Sequence, residues 1–385
     1  MTSKPSDPRE LRSLAIFQEP NSVIQTGKNT WDIRAQSFDG YYTVTKKFIK
    51  GREKGHRHDW TCTCPDHQTR HTMCKHIWAV KFSIAFKKEV EAKQNRIVLE
   101  PVVLTACPAC GSENLKKAGI RHNKSGEIQR FACLDCGKSF SVNVGFERMK
   151  HNPKAITSAM QLYFSGESLR NTQKSLKFLG TEVSHQTINN WIEKYTCLMK
   201  SYVDNLKPNV GDTWRADEIF MKIKGNLKYL FALMDDETRY WIAQEVADTK
   251  HTHDASRLFR ESKEIAGKKP EILITDGLPS YHRAFNQEFY TNTLPQSRHI
   301  NAIRLTGDSN NNKMERINGE IRDREKTMRG LKTKETPILK GMQVYHNYIR
   351  PHEVLDGKTP AEACGIELRG ENKWITLIQN AAMAK

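Results

Sequence analysis

The chain reads as a multidomain protein of the α+β and α/β classes. Two small cysteine-bound modules and a helical triplet precede a core built on a mixed five-stranded sheet with helices. Three observations predict this. Seven of the nine cysteines fall into two short clusters. From about Ala155 the text breaks into short amphipathic helices with glycine stops. Beyond Lys207 the runs follow the order three strands, helix, strand, helix, strand, helix. At 385 residues the chain has room for two to four such modules, each with a modest core.

Charge narrows the partners. The chain carries 61 basic and 44 acidic residues, a formal net charge of +17. That excess argues for a polyanion, most often nucleic acid; the alternative is charge that only keeps the protein soluble. No apolar run reaches membrane-spanning length, and "MTSKPSDPRELRS" lacks the apolar segment of a secretory signal. The expected location is intracellular, cytoplasmic and nucleoid-associated, where close cysteines more often mean metal than disulfide.

The first cluster, "CTCPDHQTRHTMCKH", holds Cys62, Cys64, Cys74 and His76 as C-x-C-x9-C-x-H. Two close pairs separated by a loop can surround zinc tetrahedrally. Strands are predicted in "DGYYTVTKKF" and "WTCTC" before it, and a helix in "KHIWAVKFSIAFKKEV" after it. The ligand order resembles the SWIM zinc finger. His67 and His71 lie in the loop and are alternatives for the fourth position. The second cluster pairs Cys107 with Cys110 and Cys133 with Cys136, two C-x-x-C knuckles of a zinc ribbon. Gly111 and Gly137 follow the knuckles, and Lys116, Lys117, Arg121, Lys124 and Arg130 make the connecting loop basic. Four protein ligands leave no open position, so both Zn2+ sites are expected to be structural. Cys197 and Cys364 stand alone and are expected simply to be packed.

The helical triplet comprises "NPKAITSAMQLYFSG", "ESLRNTQKSLKFLG" and "VSHQTINNWIEKYTCLMKSYV". It resembles a helix-turn-helix unit. Ser184 is the expected cap of the third helix, with Ile188, Trp191, Ile192 and Tyr195 inward. The outward set His185, Gln186, Thr187, Asn189, Asn190 and Lys194 can reach base edges and phosphates. A plain helical connector is the alternative.

In the core, Asp217 sits inside the strand "TWRADEIFMKIKG", on the face of Ile219, Met221 and Ile223, where aspartate is disfavoured. Asp276 ends "EILIT", at the C-terminal edge where α/β sheets carry their chemistry; taken singly, a mid-strand surface role for Asp217 and a turn role before Gly277 for Asp276 are equal alternatives. Glu315 opens the helix "NNNKMERINGEIRDREKTMRG". At 100° per residue, Gly319, Arg322, Lys326 and Arg329 lie within about 40° of it, while Met314, Ile317, Ile321 and Met328 form an apolar stripe. Glu315 is thus a lone acid on a basic face. It is either the partner of an Asn312 cap or a metal ligand among phosphate-binding cations. Glu218 is expected to point away from Asp217, Asp235 and Asp236 to form a turn, and Asp248 to end a strand as the one other acid to test as a substitute in the site. His282 and His299 could lie near the site, and Tyr345, His346, Tyr348 and Arg350 are expected to pack on the core.

The element order matches the ribonuclease-H-like fold. Together with "ITDGLPSYHRAF", "NNNKMER" and "YHNYIRPHEVLDGKTPAEACGI", the three acids resemble the catalytic core of DDE transposases of prokaryotic insertion sequences, from about Trp214 to Trp374. The resemblance implies catalytic roles for Asp217, Asp276 and Glu315. It implies two Mg2+ ions (or Mn2+) about 4 Å apart, with Arg322, Lys326 and Arg329 on the DNA backbone. The second and third acids are separated by 38 residues, slightly more than is usual for the group. It further implies a transposase that binds double-stranded DNA at element ends and in targets, cleaves and transfers strands, and works as a dimer or higher assembly. The alternatives are a transposase-derived regulator with an inert core and a nuclease that does not join. The expected domains are a SWIM-like finger (1–98), zinc ribbon (99–145), helix-turn-helix region (146–205) and catalytic core with C-terminal helices (206–385).

Overall fold

A computed structural model describes residues 8–49, 57–94, 96–123, 126–291, 296–301, 312–328 and 336–384. The chain divides into two compact units, one spanning residues 1–95 and the other beginning at Arg96.

In the first unit, α1 (Pro8–Gln18) is followed by the meander β1 (Val23–Gly27), β2 (Thr30–Arg34), β3 (Tyr41–Ile49) and β4 (Arg57–Cys62). All three pairings are antiparallel and sequential. Then come α2 (Pro65–Arg70) and α3 (Lys75–Gln94). Alternate residues of the short strands point inward, so Trp31, Ile33 and Val44 meet Ile16, Ile77 and Val80 in a small core.

The second unit opens with β5 (Ile97–Leu99), followed by the three-stranded antiparallel β6 (Leu115–Asn123), β7 (Gly126–Cys133) and β8 (Ser139–Ser141). Next are α4 (Pro153–Phe164), α5 (Leu169–Phe178) and α6 (His185–Val203). Each is started by a side-chain cap, from Asn152, Ser168 and Ser184 respectively. The sheet is built from β9 (Thr213–Ile223), β10 (Asn226–Asp235), β11 (Trp241–Ala247), β12 (Ile272–Ile274) and β13 (Arg298–Ile300). Helices α7 (Thr252–Ala266) and α8 (Pro279–Glu288) connect its later strands, and α9 (Asn312–Met328) follows. The chain ends with α10 (Pro337–Val344), a π-helical turn over Tyr345–Ile349, α11 (Pro360–Ala363), β14 (Ile366–Leu368) and α12 (Lys373–Met383).

The sheet order is β11-β10-β9-β12-β13. The first three strands are antiparallel, while β12 runs parallel to both β9 and β13. β12 is short and wholly apolar, as suits an inner parallel strand covered on both faces. Along β9, Ile219, Met221 and Ile223 are buried while Phe220 and Lys222 are exposed, so its far half has one solvated face.

The helical triplet shares a core with the sheet, running from Met160 and Tyr195 to Trp214, Leu230 and Trp374. Gly341 marks the closest approach. A Cβ there would lie 2.3 Å from Cζ of Phe164 and 3.0 Å from Oγ1 of Thr196, so α10 meets α4 and α6 only because residue 341 has no side chain. β14 pairs in parallel with β5, drawing the C-terminal segment onto the residues just ahead of β6. Among the described residues no helix is long and apolar enough to cross a membrane.

Candidate active site

Strand register sets the two aspartates side by side. Ile274 of β12 pairs with Arg215 of β9, and one further step of two along each parallel strand reaches Asp276 and Asp217. Both therefore emerge on the same side of adjacent chains. Asp276 lies just past β12, where the backbone turns through Gly277 (φ 89°) into α8. A Cβ at 277 would meet the Asn301 carbonyl oxygen at 2.6 Å, so this turn requires glycine. Leu278 N–H donates to Asp276 Oδ1 at 3.2 Å. Beside it, Thr275 Oγ1 and His299 Nε2 are 2.9 Å apart, and His299 stacks on His282. Burial lowers the His299 pKa to about 4, so the ring is neutral.

A third carboxylate joins them. Ligand oxygens of Asp217, Glu218 and Asp276 all lie within 4.8 Å of one another. This corrects the expectation that Glu218, of opposite parity to Asp217, points away. Its backbone direction is the expected one, but β12 pairs with β9 only as far as Arg215. Past that point both side chains can lean over the same open edge. Lys250 Nζ holds Glu218 Oε1 at 2.7 Å.

The crowding is electrostatically costly. Asp217 is pushed up to about 7, by burial first and then by repulsion from Glu218 and Asp276. Hydrogen bonds from the Glu218 N–H (3.0 Å) and Asn318 Nδ2 (2.8 Å) oppose the rise. Burial also raises Glu218, against the pull of Lys250. A site where like charges are driven together is one that a cation would relieve.

Helix α9 lies along β9 with Met314, Ile317 and Ile321 buried, and it is Asn318, not Glu315, that touches Asp217. Glu315 is exposed and falls outside the carboxylate cluster. Asn312 is the first helical residue, so any cap precedes it, outside the described residues. Arg322 and Lys326 are exposed, with Lys326 3.2 Å from Asp323; Arg329 lies outside the described residues. The helix is held at several points. Lys313 Nζ meets Asp236 Oδ1 at 2.6 Å, Glu325 accepts from the Lys222 N–H, and the buried Arg324 donates to the Tyr163 and Glu167 carbonyls.

The other acids have structural partners. Asp235 closes β10, fully buried, and accepts from Thr238 N–H at 2.8 Å. Asp236 pairs with Arg215 as well as Lys313. Asp248 pairs with Lys228 at the surface. His346 is buried with Nε2 2.9 Å from the Arg239 carbonyl, Tyr348 meets Tyr240 at 2.8 Å, and Tyr345 stacks on Trp374. These residues pack the core.

Two further side-chain clusters have metal-ligand character. Cys62, Cys64, Cys74 and His76 are all buried and converge, with His76 Nδ1 3.9 Å from both Cys62 and Cys74 sulfurs. His67 is half-buried and His71 exposed, and both lie outside this cluster. Hydrogen bonds from Cys62 and Cys74 draw Cys64 towards the thiolate, the form that binds metal. In the second unit, the Cys107–Cys136 and Cys110–Cys133 sulfurs are 3.7 and 3.5 Å apart. Bonds of about 2.3 Å to a tetrahedral centre would set sulfurs about 3.8 Å apart. The knuckles turn through Gly111 (φ 74°) and Gly137 (φ 73°). Cys364 is packed as expected, but Cys197 is exposed on α6.

On α6, Ile188, Trp191, Ile192 and Tyr195 are buried, and Ser184 Oγ accepts from the Thr187 N–H at 3.1 Å. His185, Gln186, Asn190 and Lys194 are exposed, with Thr187 and Asn189 partly so. Gln186 donates to Asn190 at 3.0 Å and Asn189 to Glu193 at 2.8 Å.

Sequence reasoning missed Asn318 and the inward lean of Glu218. The available signals were the place of Asn318 one turn after Glu315 and the adjacency of Glu218 to Asp217. Neither reveals where β12 stops.

An antiparallel three-strand meander extended by two parallel strands, with one aspartate on β9 and another just past the adjacent β12, is the arrangement of a ribonuclease-H-like core. Residues 211–352 match the family described as a DDE domain. It is 27% identical over 198 residues to an uncharacterized 48.3 kDa protein of insertion element ISM1 from Methanobrevibacter smithii, covering 47% of each chain. It thus spans about half the length of that relative. It is 25% identical over 230 residues to the transposase of IS257 in transposon Tn4003 from Staphylococcus aureus, covering 58% of this chain and 98% of the relative. Among solved structures, the HTLV-2 integrase catalytic core domain in complex with magnesium aligns at TM-score 0.29 and 16% identity, over 40% of this chain and 95% of that one.

Proposed function

We propose that the protein is a DNA transposase that binds the ends of its element and carries out metal-dependent strand cleavage and transfer. The observation carrying this reading is the pair Asp217 and Asp276, brought together on adjacent parallel strands inside a strongly basic chain. Asp217 and Asp276 would hold divalent metal, Mg2+ or Mn2+, and the crowding that raises Asp217 supports the fit. Such ions supply activation of the attacking oxygen and neutralisation of the leaving one. Glu315 is the proposed third ligand. It stands one turn before Asn318, about 60° round and about 4.5 Å along the helix, and its exposure leaves it free of the apolar stripe. Asn318 orients Asp217, and Arg322, Lys326 and Arg329 would grip the DNA backbone.

Gln186, Thr187, Asn189, Asn190 and Lys194 are the proposed readers of element ends, supported by their place on the outward side of a capped helix. Cys62, Cys64, Cys74 and His76 would hold one structural Zn2+ and Cys107, Cys110, Cys133 and Cys136 another. The first module is read as SWIM-like. Pairing two DNA ends calls for a dimer or larger assembly on DNA.

The test uses purified protein, DNA carrying the flanks of its own gene and a second plasmid as target. Wild type is compared with Glu315→Gln, with and without Mg2+. Joined products that need both Mg2+ and Glu315 are expected. Nicks without joining would replace the reading with a nuclease. Selective binding without either product would replace it with a regulator.

A further inference from the structure

The carboxylate cluster contains an acid outside the pattern of two aspartates and one glutamate. The Glu218 side chain is only 4% exposed. One oxygen is held by Lys250, whose ammonium also lies over the Phe220 and Tyr229 rings at 4.6 and 5.0 Å. The other oxygen, Oε2, is buried with no hydrogen-bond partner among the described residues. The buried Tyr281 hydroxyl stands beside this carboxylate and favours its charged form, while lying outside close hydrogen-bond geometry among the described residues. An acceptor withdrawn from water and left unmatched is costly. An acid that served only to pair with Lys250 would gain nothing from lying against two other carboxylates.

We propose that Glu218 is an additional metal-ligating residue of the core, with Lys250 fixing one of its oxygens so that the other faces the space shared with Asp217 and Asp276. The physical logic is that of ligand orientation. A carboxylate anchored at one oxygen presents the second with little rotational freedom, and a cation placed there satisfies the unmatched acceptor while screening three like charges. Lys250 is then a positioning residue, and its cation–π contacts hold it in place. This inference rests on the reading of Asp217 and Asp276 as metal ligands.

The experiment measures Mn2+ binding to the full chain by the loss of the free-ion electron paramagnetic resonance signal, independently of any DNA reaction. Wild type is compared with Glu218→Gln, Asp217→Asn and Asp276→Asn, with folding checked by thermal melts without added Mn2+. Glu218→Gln is expected to weaken Mn2+ binding at least tenfold, no less than the loss that follows removal of a mere outer-shell partner. Unchanged affinity in Glu218→Gln alongside loss in Asp217→Asn would overturn the proposal and leave Glu218 as a partner of Lys250 alone. Unchanged affinity in both aspartate variants would instead overturn the underlying metal reading. If Glu218→Gln fails to fold, Glu218→Asp takes its place. It keeps the charge but shortens the reach, so tenfold weaker binding supports ligation and wild-type binding refutes it.

Discussion

Removing a proposed catalytic charge should make the metal-free protein more stable, and the structure says by how much and at which pH. Asp217 is pushed from 3.8 up to about 7, by burial and then by Glu218 and Asp276. A carboxyl raised in the folded state binds its proton more tightly there than in the unfolded chain. Stability is therefore lost as pH rises from about 4 to about 7 and stays lost above that. A rise of that size corresponds to at most about 4 kcal/mol. Because Asp217 is only partly buried, solvent screening brings the realistic cost at pH 8 to about 2–3 kcal/mol. Asp217→Asn abolishes it while keeping the shape. The amide oxygen can still accept from the Glu218 N–H. Asn318, whose Oδ1 is buried without a partner among the described residues, can turn that oxygen to the new NH2. At about 2–4 °C per kcal/mol for a domain of this size, the variant should melt about 5 °C or more above wild type at pH 8. The gain should shrink to roughly a third at pH 5, since only the first part of the titration window has then been crossed. The assay is a thermal melt without Mg2+ or Mn2+ and without chelator, so that any bound zinc stays in place. Equal melting at pH 8, or a gain that does not change with pH, would refute the electrostatic argument.

Ser184→Ala removes the side-chain acceptor for the Thr187 N–H and should cost about 1 kcal/mol in denaturant titrations; an unchanged midpoint would show that the cap contributes nothing. Metal analysis of the purified chain should find two zinc ions per protein. Cys133→Ser should lower that to one and expose β6, β7 and β8 to hydrogen exchange while β9 and β10 stay protected, because a four-ligand centre holds that small sheet; unaltered exchange there would count against it.

Much of this protein was legible in its sequence alone. Cysteine spacing marked both clusters because ligands must converge on one centre from short, rigid turns. Glycine stops and Ser184 marked the three helices because helix ends need left-handed turns and acceptors for free N–H groups. The runs after Lys207 carried the element order because strand and helix periods differ. The apolar stripe Met314, Ile317 and Ile321 was correctly assigned for the same reason. Tertiary structure alone decided what surrounds Asp217. The parallel register Ile274 to Arg215 aligns Asp276 with it, and the early end of β12 lets Glu218 lean in. The seating of α9 puts Asn318, rather than Glu315, against the carboxylate. Each depends on where one strand stops against another, which is set by packing between distant segments and leaves no periodic trace along the chain.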